Sequence, residues 1–469
     1  MLYTIQEINA NPNLLPGIIL GAKIIDDCMS DTHALEQSME FIRHSLKTLD
    51  STQYECSDGN PALPKNKDVE KLIFGVVGAS VSDVSIQVAN LLRLFKMPQI
   101  SYASTSSVLS DKTRFDYFAR TVPSDSFQSK AMVDIVSYFN WTYVSTVASE
   151  GEYGESGIAH FTQEARARNI CIATHQKIPS RAEWDRKIYE DIVSNLKTKM
   201  DMGEKRGSKA VILFVKSSDV PGFFRAFKNL NLTTDGWAFI ASDGMGLELD
   251  PLKGLEYLAS GAITLELQTE EIHQFDNYFS NLSPLKNDTI KRNPWFKEYW
   301  EDLYKCNFIE NYDISPPQHS SKQNLLQQSN GARFSDLNSN KNKIEFLDQQ
   351  ENIPKVENSS LNTENKPFSP QSPGIQTRKQ CTGLEQTSKH KQESKVQFVY
   401  QAVYAFAHAL NKFQQDVCRT GRKLCPEMLQ FDGARFFNKY IINNSFEGKF
   451  ARFSFYFLLS SFSFCKIAT

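Results

Sequence analysis

The sequence predicts an α/β protein in two lobes, each a largely parallel sheet flanked by helices. Three observations predict it. Over residues 70–267, short β-branched runs alternate with amphipathic stretches, as strand–helix–strand units do. That pattern covers roughly 200 residues, more than one sheet usually takes, which points to two lobes. The 469-residue chain is 41% hydrophobic, enough to build sizeable cores and too little for a membrane bundle.

The elements follow in order. The opening "MLYTIQEINANPNLLPG" has neither the basic start nor the apolar stretch of a secretory leader. "KLIFGVV", "PQISYAS", "TYVSTVAS", "ICIATHQ", "KAVILFV" and "WAFIAS" read as strands. Between them "DVSIQVANLLRLF", "SFQSKAMVDIVSYF", "SGIAHFTQEARAR", "IYEDIVSNLKTK" and "PGFFRAFKNL" read as helices. Residues 314–394 are rich in Ser, Asn, Gln, Lys and Pro, so they bury too little apolar surface to offset their ordering entropy and read as a disordered insertion. "FVYQAVYAFAHAL" then resumes an apolar helix, in which His408 reads as a packing residue rather than a ligand. The closing "FARFSFYFLLSSFSFCKIAT" is short for a membrane span and carries Arg452 and Lys466.

The net charge of −2, from 52 basic and 54 acidic residues, gives no sign of a nucleic-acid surface. Eight cysteines include Cys418 and Cys425, whose spacing suits a local disulfide, and no C-x-x-C or His-rich spacing suggests a metal or other cofactor. Asn-X-Ser/Thr sequons at Asn140, Asn231, Asn281, Asn287, Asn358 and Asn443 would be used only in a secreted chain.

The stretch "GASVSD" from Gly78 separates the first of these strands from its helix. Free N–H groups and hydroxyls at a helix start suit an anion, although Ser80, Ser82 or Asp83 could simply cap the helix. In an open α/β sheet, ligands bind at the carboxyl ends of the strands. Those positions hold Ser82, Thr105, Asp125, Tyr153 and Asp243. The hydroxyls suit a carboxylate, the two acids suit an ammonium, and Tyr153 can cover the bound group or face the cation. Together they describe a site for a free α-amino acid.

"ALEQSMEFIR", "ISYASTSSVLSDKTRFDYFARTVPSDSFQSKAMVDIV", "YFNWTYVSTVASEGEYGESG", "ASDGMG" and "RNPWFKEYWE" resemble the extracellular ligand-binding domain of metabotropic glutamate receptors, class C G-protein-coupled receptors. The resemblance runs over about 1–313 and 394–448. It implies a periplasmic-binding-protein-like (type I) fold with the ligand in the cleft between lobes. Lobe 1 would comprise 1–121 and 268–448, lobe 2 would comprise 122–267, and 449–469 would be a divergent tail. It implies that Ser82 holds the α-carboxylate of L-glutamate or a related amino acid, and that Thr105 with the backbone near Ala103 binds the carboxylate and amino group. Asp125, Tyr153 and Asp243 would close on the amino group, and Lys395 would pair with the distal carboxylate.

The same resemblance pairs Cys306 with Cys381 and Cys418 with Cys425, places Cys56 at an inter-subunit cross-link, and gives Cys28 and Cys171 partners outside this chain. Leu35, Met39, Leu91, Leu94 and Phe95 match the apolar positions of a homodimer interface on lobe 1. A G protein would be reached only through a transmembrane region beyond this chain, which places the domain on the extracellular side of the plasma membrane. Val81 and Asp83 depart from the family pattern beside the carboxylate site, and an inward-facing Asp83 would repel the ligand. The first strand of the family and an arginine on the distal carboxylate lie upstream of what is matched. Two other readings are a periplasmic-type amino-acid-binding protein, and an enzyme using Asp125 or Asp243 as acid or base. No G-x-S-x-G elbow, P-loop or metal spacing supports the enzyme.

Overall fold

Ala210–Phe214 is buried at every position, with Val211 and Leu213 in one apolar cluster and Ala210, Ile212 and Phe214 in another. A strand apolar on both faces needs helices on both faces, and that requirement organises this part of the chain. The computed structural model describes residues 1–46, 72–180, 185–201, 208–246, 252–308, 378–385, 391–418, 424–447, 452–454 and 465–468. They fall into two units, Met1–Asn281 with Ser388–Thr469, and Leu282–Thr387.

In the first unit, in chain order, come α1 (Leu2–Ala10), α2 (Asp31–Leu46), β1 (Val76–Val77), α3 (Ser82–Leu94), β2 (Gln99–Ser101), a 3₁₀ turn at Ser107–Ser110 and β3 (Phe118–Arg120). The chain continues through α4 (Asp125–Tyr138), β4 (Tyr143–Ser149), α5 (Glu152–Ala167), β5 (Cys171–Ile178), α6 (Arg186–Asp201), β6 (Ala210–Phe214) and α7 (Val220–Asn229). Next are β7 (Ala238–Ala241), α8 (Glu256–Ala259), β8 (Ile263–Leu267) and α9 (His273–Ser280). The second unit holds α10 (Asn287–Arg292), α11 (Phe296–Tyr304), β9 (Cys306–Asn307) and β10 (Lys379–Gln380), the strands paired in parallel. The first unit resumes with α12 (Val396–Val417), α13 (Pro426–Leu429), α14 (Gly433–Phe436), a π-turn at Phe437–Ile441, β11 (Ser445–Glu447), β12 (Arg452–Ser454) and β13 (Cys465–Ala468).

Two sheets carry the first unit. One is three-stranded, in the order β1-β2-β3, all parallel. Val84, Val88 and Leu92 of α3, four residues apart, pack with Ala34 and Ile42 of α2 and with Val76. A separate cluster joins Ile100 and Ala119 to α12 through Ala402, Phe406 and Leu410, and to α1 through Ile5 and Ile8. The other sheet is six-stranded, in the order β13-β8-β7-β6-β4-β5, parallel except for β13, which lies antiparallel against β8. Helices α6 and α7 supply one covering layer and α4 and α5 the other. Phe223, Phe224 and Phe227 of α7 are wholly buried, so truncating any one to Ala costs about 3–5 kcal/mol.

The mixed α/β architecture with parallel sheets matches the sequence expectation, with three local corrections. Of the described residues of "KLIFGVV" only Val76 and Val77 pair as strand, and a side chain on Gly75 would collide with the Phe406 ring. The three-residue strand β3 and the closing strand β13 were not anticipated, and β13 falls in the segment read as a divergent tail. Residues 378–385, inside the segment read as an insertion, contain β10 and Cys381. The remaining insertion residues up to 377, Cys56 and Asn358 lie outside the described residues.

Both expected cysteine pairs are disulfides, Cys306–Cys381 and Cys418–Cys425, while Cys28 and Cys171 are exposed free thiols. Among the described residues no helix is long and apolar enough to cross a membrane.

Candidate functional site

Within each sheet the parallel strands present their carboxyl ends at one edge, where open α/β sheets bind ligands. After β1 the chain turns through Gly78–Val81 into α3. The N-cap is Val81, which has no side-chain oxygen, so none of the expected hydroxyl or acid caps closes this helix. Serines hold the turn instead. Ser101 Oγ donates to Ala79 O at 2.7 Å, Ser104 Oγ reaches Ser85 Oγ at 2.7 Å, and Gln99 Nε2 donates to Gly78 O at 2.9 Å. Ser82 is buried, and its Oγ accepts the Ser106 N–H at 3.2 Å. Ala103 and Thr105 lie buried on the loop after β2, where Thr105 O accepts the Asp125 N–H at 2.8 Å.

Asp125 opens α4, capped by Ser124, and is fully buried. Gln128, one turn along, joins the two acids: its Nε2 lies 3.1 Å from Asp125 Oδ1 and 2.9 Å from Asp243 Oδ1, and its Oε1 accepts the Asp243 N–H at 3.0 Å. Asp243 follows β7. Tyr153, in the first turn of α5, places its hydroxyl 2.8 Å from Ser242 Oγ and 2.7 Å from Asp243 Oδ1, and accepts the Gly244 N–H at 3.0 Å. Lys395, at the N-cap of α12, brings its Nζ to 3.8 Å from Asp243 Oδ2.

Asp125, Tyr153, Asp243 and Lys395 are thus gathered into one polar cluster, with Thr105 joined to it through both backbone and side chain and Ser82 by way of Ser106. Ala103 N–H is bonded to Ser101 Oγ within the same loop. Gln128 was missed, because a glutamine inside an amphipathic helix gives no signal beyond its place one turn after an acid.

Electrostatics set the cluster apart. Burial pushes the Asp125 carboxyl well above the usual carboxylate range, and the neighbouring Asp243 charge adds to it. A hydrogen bond from the Thr105 side chain and the charges of Arg120 and Lys395 pull the other way. Asp125 Oδ2 is buried with no hydrogen-bond partner among the described residues. Burial and the two acids also push the Tyr153 phenol well above its usual range. Arg120, pinned to Ser104 O, Ser106 O and Ser110 Oγ, is lowered by burial to about 10. An unpartnered Asp125 oxygen with the Asp243 carboxyl beside it suits a cationic group with several N–H donors.

Asp83 does not point at Ser82's neighbours. Its Oδ1 accepts the Glu152 N–H at 2.6 Å, and its Oδ2 pairs with Lys216 Nζ at 3.0 Å. A separate cavity between Lys23–Asp27, α2 and β1 includes none of the predicted ligand residues. Among the described residues, no group of three or more His, Cys, Asp and Glu side chains could hold a metal ion.

Residues 1–455 match the family described as the receptor family ligand binding region. A metabotropic glutamate receptor of Drosophila melanogaster is 42% identical over 476 residues, covering 95% of this chain and 43% of that protein. The chain therefore spans less than half the length of that relative. With the parallel sheets, the strand-end cluster and a match over nearly its whole length, the chain belongs to the receptor ligand-binding-region family, whose fold is the periplasmic-binding-protein-like type I fold.

Proposed function

We propose that this chain is the extracellular ligand-binding domain of a metabotropic glutamate receptor, and that it binds L-glutamate or a related amino acid and signals by lobe closure in a dimer. The observation that carries the reading is the buried Asp125–Gln128–Asp243–Tyr153 cluster, with an unpartnered carboxylate oxygen, close to the Ser82 and Thr105 turn. Its similarity to the Drosophila receptor supports the same ligand class.

In this reading lobe 1 carries the three-stranded sheet and lobe 2 the six-stranded one. From lobe 1, Ser82 holds the α-carboxylate, and Thr105 with the backbone near Ala103 binds the carboxylate and amino group. Asp125, Tyr153 and Asp243 meet the ammonium, and Lys395 meets the distal carboxylate. A ligand shifts closure only by its differential affinity for the two states, so the lobe 2 contacts formed on closure drive the switch.

Dimerisation would use α2 and α3 of lobe 1, where Leu35, Met39, Leu94 and Phe95 are exposed and Leu91 is half-buried. Coupling to a G protein would pass through a transmembrane region, with this domain outside the plasma membrane. The acids serve binding rather than acid–base catalysis.

Titration calorimetry on the secreted chain with glutamate, alanine and serine tests the reading. Glutamate should bind at least about tenfold more tightly than either, because only it offers Lys395 a second carboxylate. Equal affinities would make the chain a general amino-acid binder, and no heat with any of them would overturn the ligand class.

A further inference from the structure

Glu152, Ser156 and His160 stand four residues apart on α5 and so lie along one face of that helix. All three are met from the side of the three-stranded sheet. Asp83 Oδ1 accepts the Glu152 N–H at 2.6 Å, Ser106 Oγ lies 3.2 Å from Ser156 Oγ, and Ser107 Oγ lies 2.7 Å from His160 Nε2. Helix α5 belongs to the six-stranded sheet, between β4 and β5, whereas α3 and the loop at 104–110 belong to the three-stranded one. The row is therefore a polar seam between the two sheets, made from groups of the chain alone.

The seam is strongest at Asp83. The N-cap of α5 is Gly151, which has no side chain to satisfy the first N–H groups. Asp83 supplies that acceptor from 69 residues upstream, and its negative charge sits at the positive end of the helix. Gly151 is needed for this approach: its φ is 110°, and a side chain there would lie 2.5 Å from Asp83 Oδ2. The same oxygen pairs with Lys216, just past the carboxyl end of β6, with the two side chains 24% and 30% exposed. Partial burial reduces solvent screening of that pair.

We propose that Asp83 and Lys216 are positioning residues that hold the two lobes closed independently of ligand, and so set how much of the binding energy closure consumes. The proposal rests on the reading of the chain as a two-lobed binder that closes. It also assigns a task to the residue that departs from the family pattern: Asp83 grips the opposite lobe instead of repelling the ligand. A protein whose competent state is already populated binds with less loss of apparent affinity, so weakening the latch weakens every ligand by the same factor.

The test compares the parent chain with Asp83→Asn, Asp83→Ala, Lys216→Met, Lys216→Arg and the Asp83→Ala/Lys216→Met double variant. X-ray scattering without ligand reads the open–closed balance, and hydrogen exchange reads the Glu152 amide. Lys216→Met should expand the chain and weaken glutamate about two- to fivefold, with Lys216→Arg restoring both. Asp83→Ala should also expose the Glu152 amide and weaken binding about five- to thirtyfold. Asp83→Asn, which keeps an acceptor but loses the charge, should match Lys216→Met. The double variant should fall short of the product of the single losses. Raising salt should expand the parent and leave Lys216→Met unchanged.

Unchanged scattering in Asp83→Ala and Lys216→Met, with additive losses in the double variant, would overturn the latch. Scattering and exchange need no ligand, so a failure to bind glutamate would overturn the ligand assignment while leaving the latch to be judged on its own. Unchanged thermal unfolding in Lys216→Met and Lys216→Arg separates loss of closure from loss of folding.

Discussion

Tyr153 and Asp243, 90 residues apart in the chain, meet through a 2.7 Å hydrogen bond from the phenol to the carboxylate. The bond ties the first turn of α5 to the end of β7 and aims the acid's charge. Replacing Asp243 with Ala should cost about 2–3 kcal/mol of amino-acid binding, roughly 30- to 150-fold. Tyr153→Phe, which loses only the hydroxyl, should cost about 1 kcal/mol. Calorimetry on both variants measures the difference, and an Asp243→Ala variant with parental affinity would remove this acid from the site.

Asp125 links binding to pH. Its carboxyl is raised by burial and by Asp243, against the opposing Thr105 hydrogen bond and the charges of Arg120 and Lys395. A raised acid holds its proton more tightly folded than unfolded. The stability it contributes is therefore fullest at low pH and is lost as pH climbs from the ordinary carboxylate range to the raised one. Binding of the proposed ammonium group runs the other way, because it favours the ionised Asp125. Asp125→Asn should thus unfold at a higher temperature than the parent at neutral pH, bind more weakly, and lose the rise in affinity with pH. A parent and variant with parallel pH profiles would refute the coupling.

In the proposed reading Lys395 carries the distal selectivity. Lys395→Ala should weaken glutamate far more than alanine or serine, since the monocarboxylates have nothing for the lysine to meet. Its ammonium lies 3.8 Å from Asp243 Oδ2 and its charge also holds the Asp125 carboxyl down, so its loss should push the Asp125 carboxyl further up. Equal losses for all three amino acids would show that the lysine acts through Asp243 alone.

The two disulfides should differ in worth. Cys306–Cys381 closes a separation of 75 residues and Cys418–Cys425 one of 7. Loop-closure entropy makes the first worth about 4–5 kcal/mol and the second about 2 kcal/mol. Thermal unfolding of the Cys306→Ala/Cys381→Ala and Cys418→Ala/Cys425→Ala pairs should show the larger loss in the first. The reverse order would mean that native contacts around the short loop outweigh chain entropy.

Strand ends were the legible part of the site, because a parallel sheet fixes where its loops gather before any coordinates exist. Ser82, Thr105, Asp125, Tyr153 and Asp243 were singled out that way as candidates. Gln128 and Lys216 were not: one is a polar residue inside a helix, and the other is a lysine with no local partner. Asp83 was legible only as a departure, since its acceptor role depends on a helix 69 residues later. Strand β3 escaped because three residues give too short an alternation to register, and β13 because its partner, β8, lies far upstream.

The packing of α12 has a consequence for the order in which the chain folds. The core strands β4 and β6–β8 and the covering helices α4–α7 all come from residues 125–267, so most of that layer completes itself locally. The three-stranded sheet is covered on one face by Ala402, Phe406 and Leu410, which arrive some 280 residues after Ala119. A nascent chain emerging at about 5–20 residues per second therefore holds an uncovered early sheet for tens of seconds. During synthesis the domain is assembled from its middle outward. The segment most exposed to chaperones and proteases in that interval is the one that carries Ser82 and Thr105.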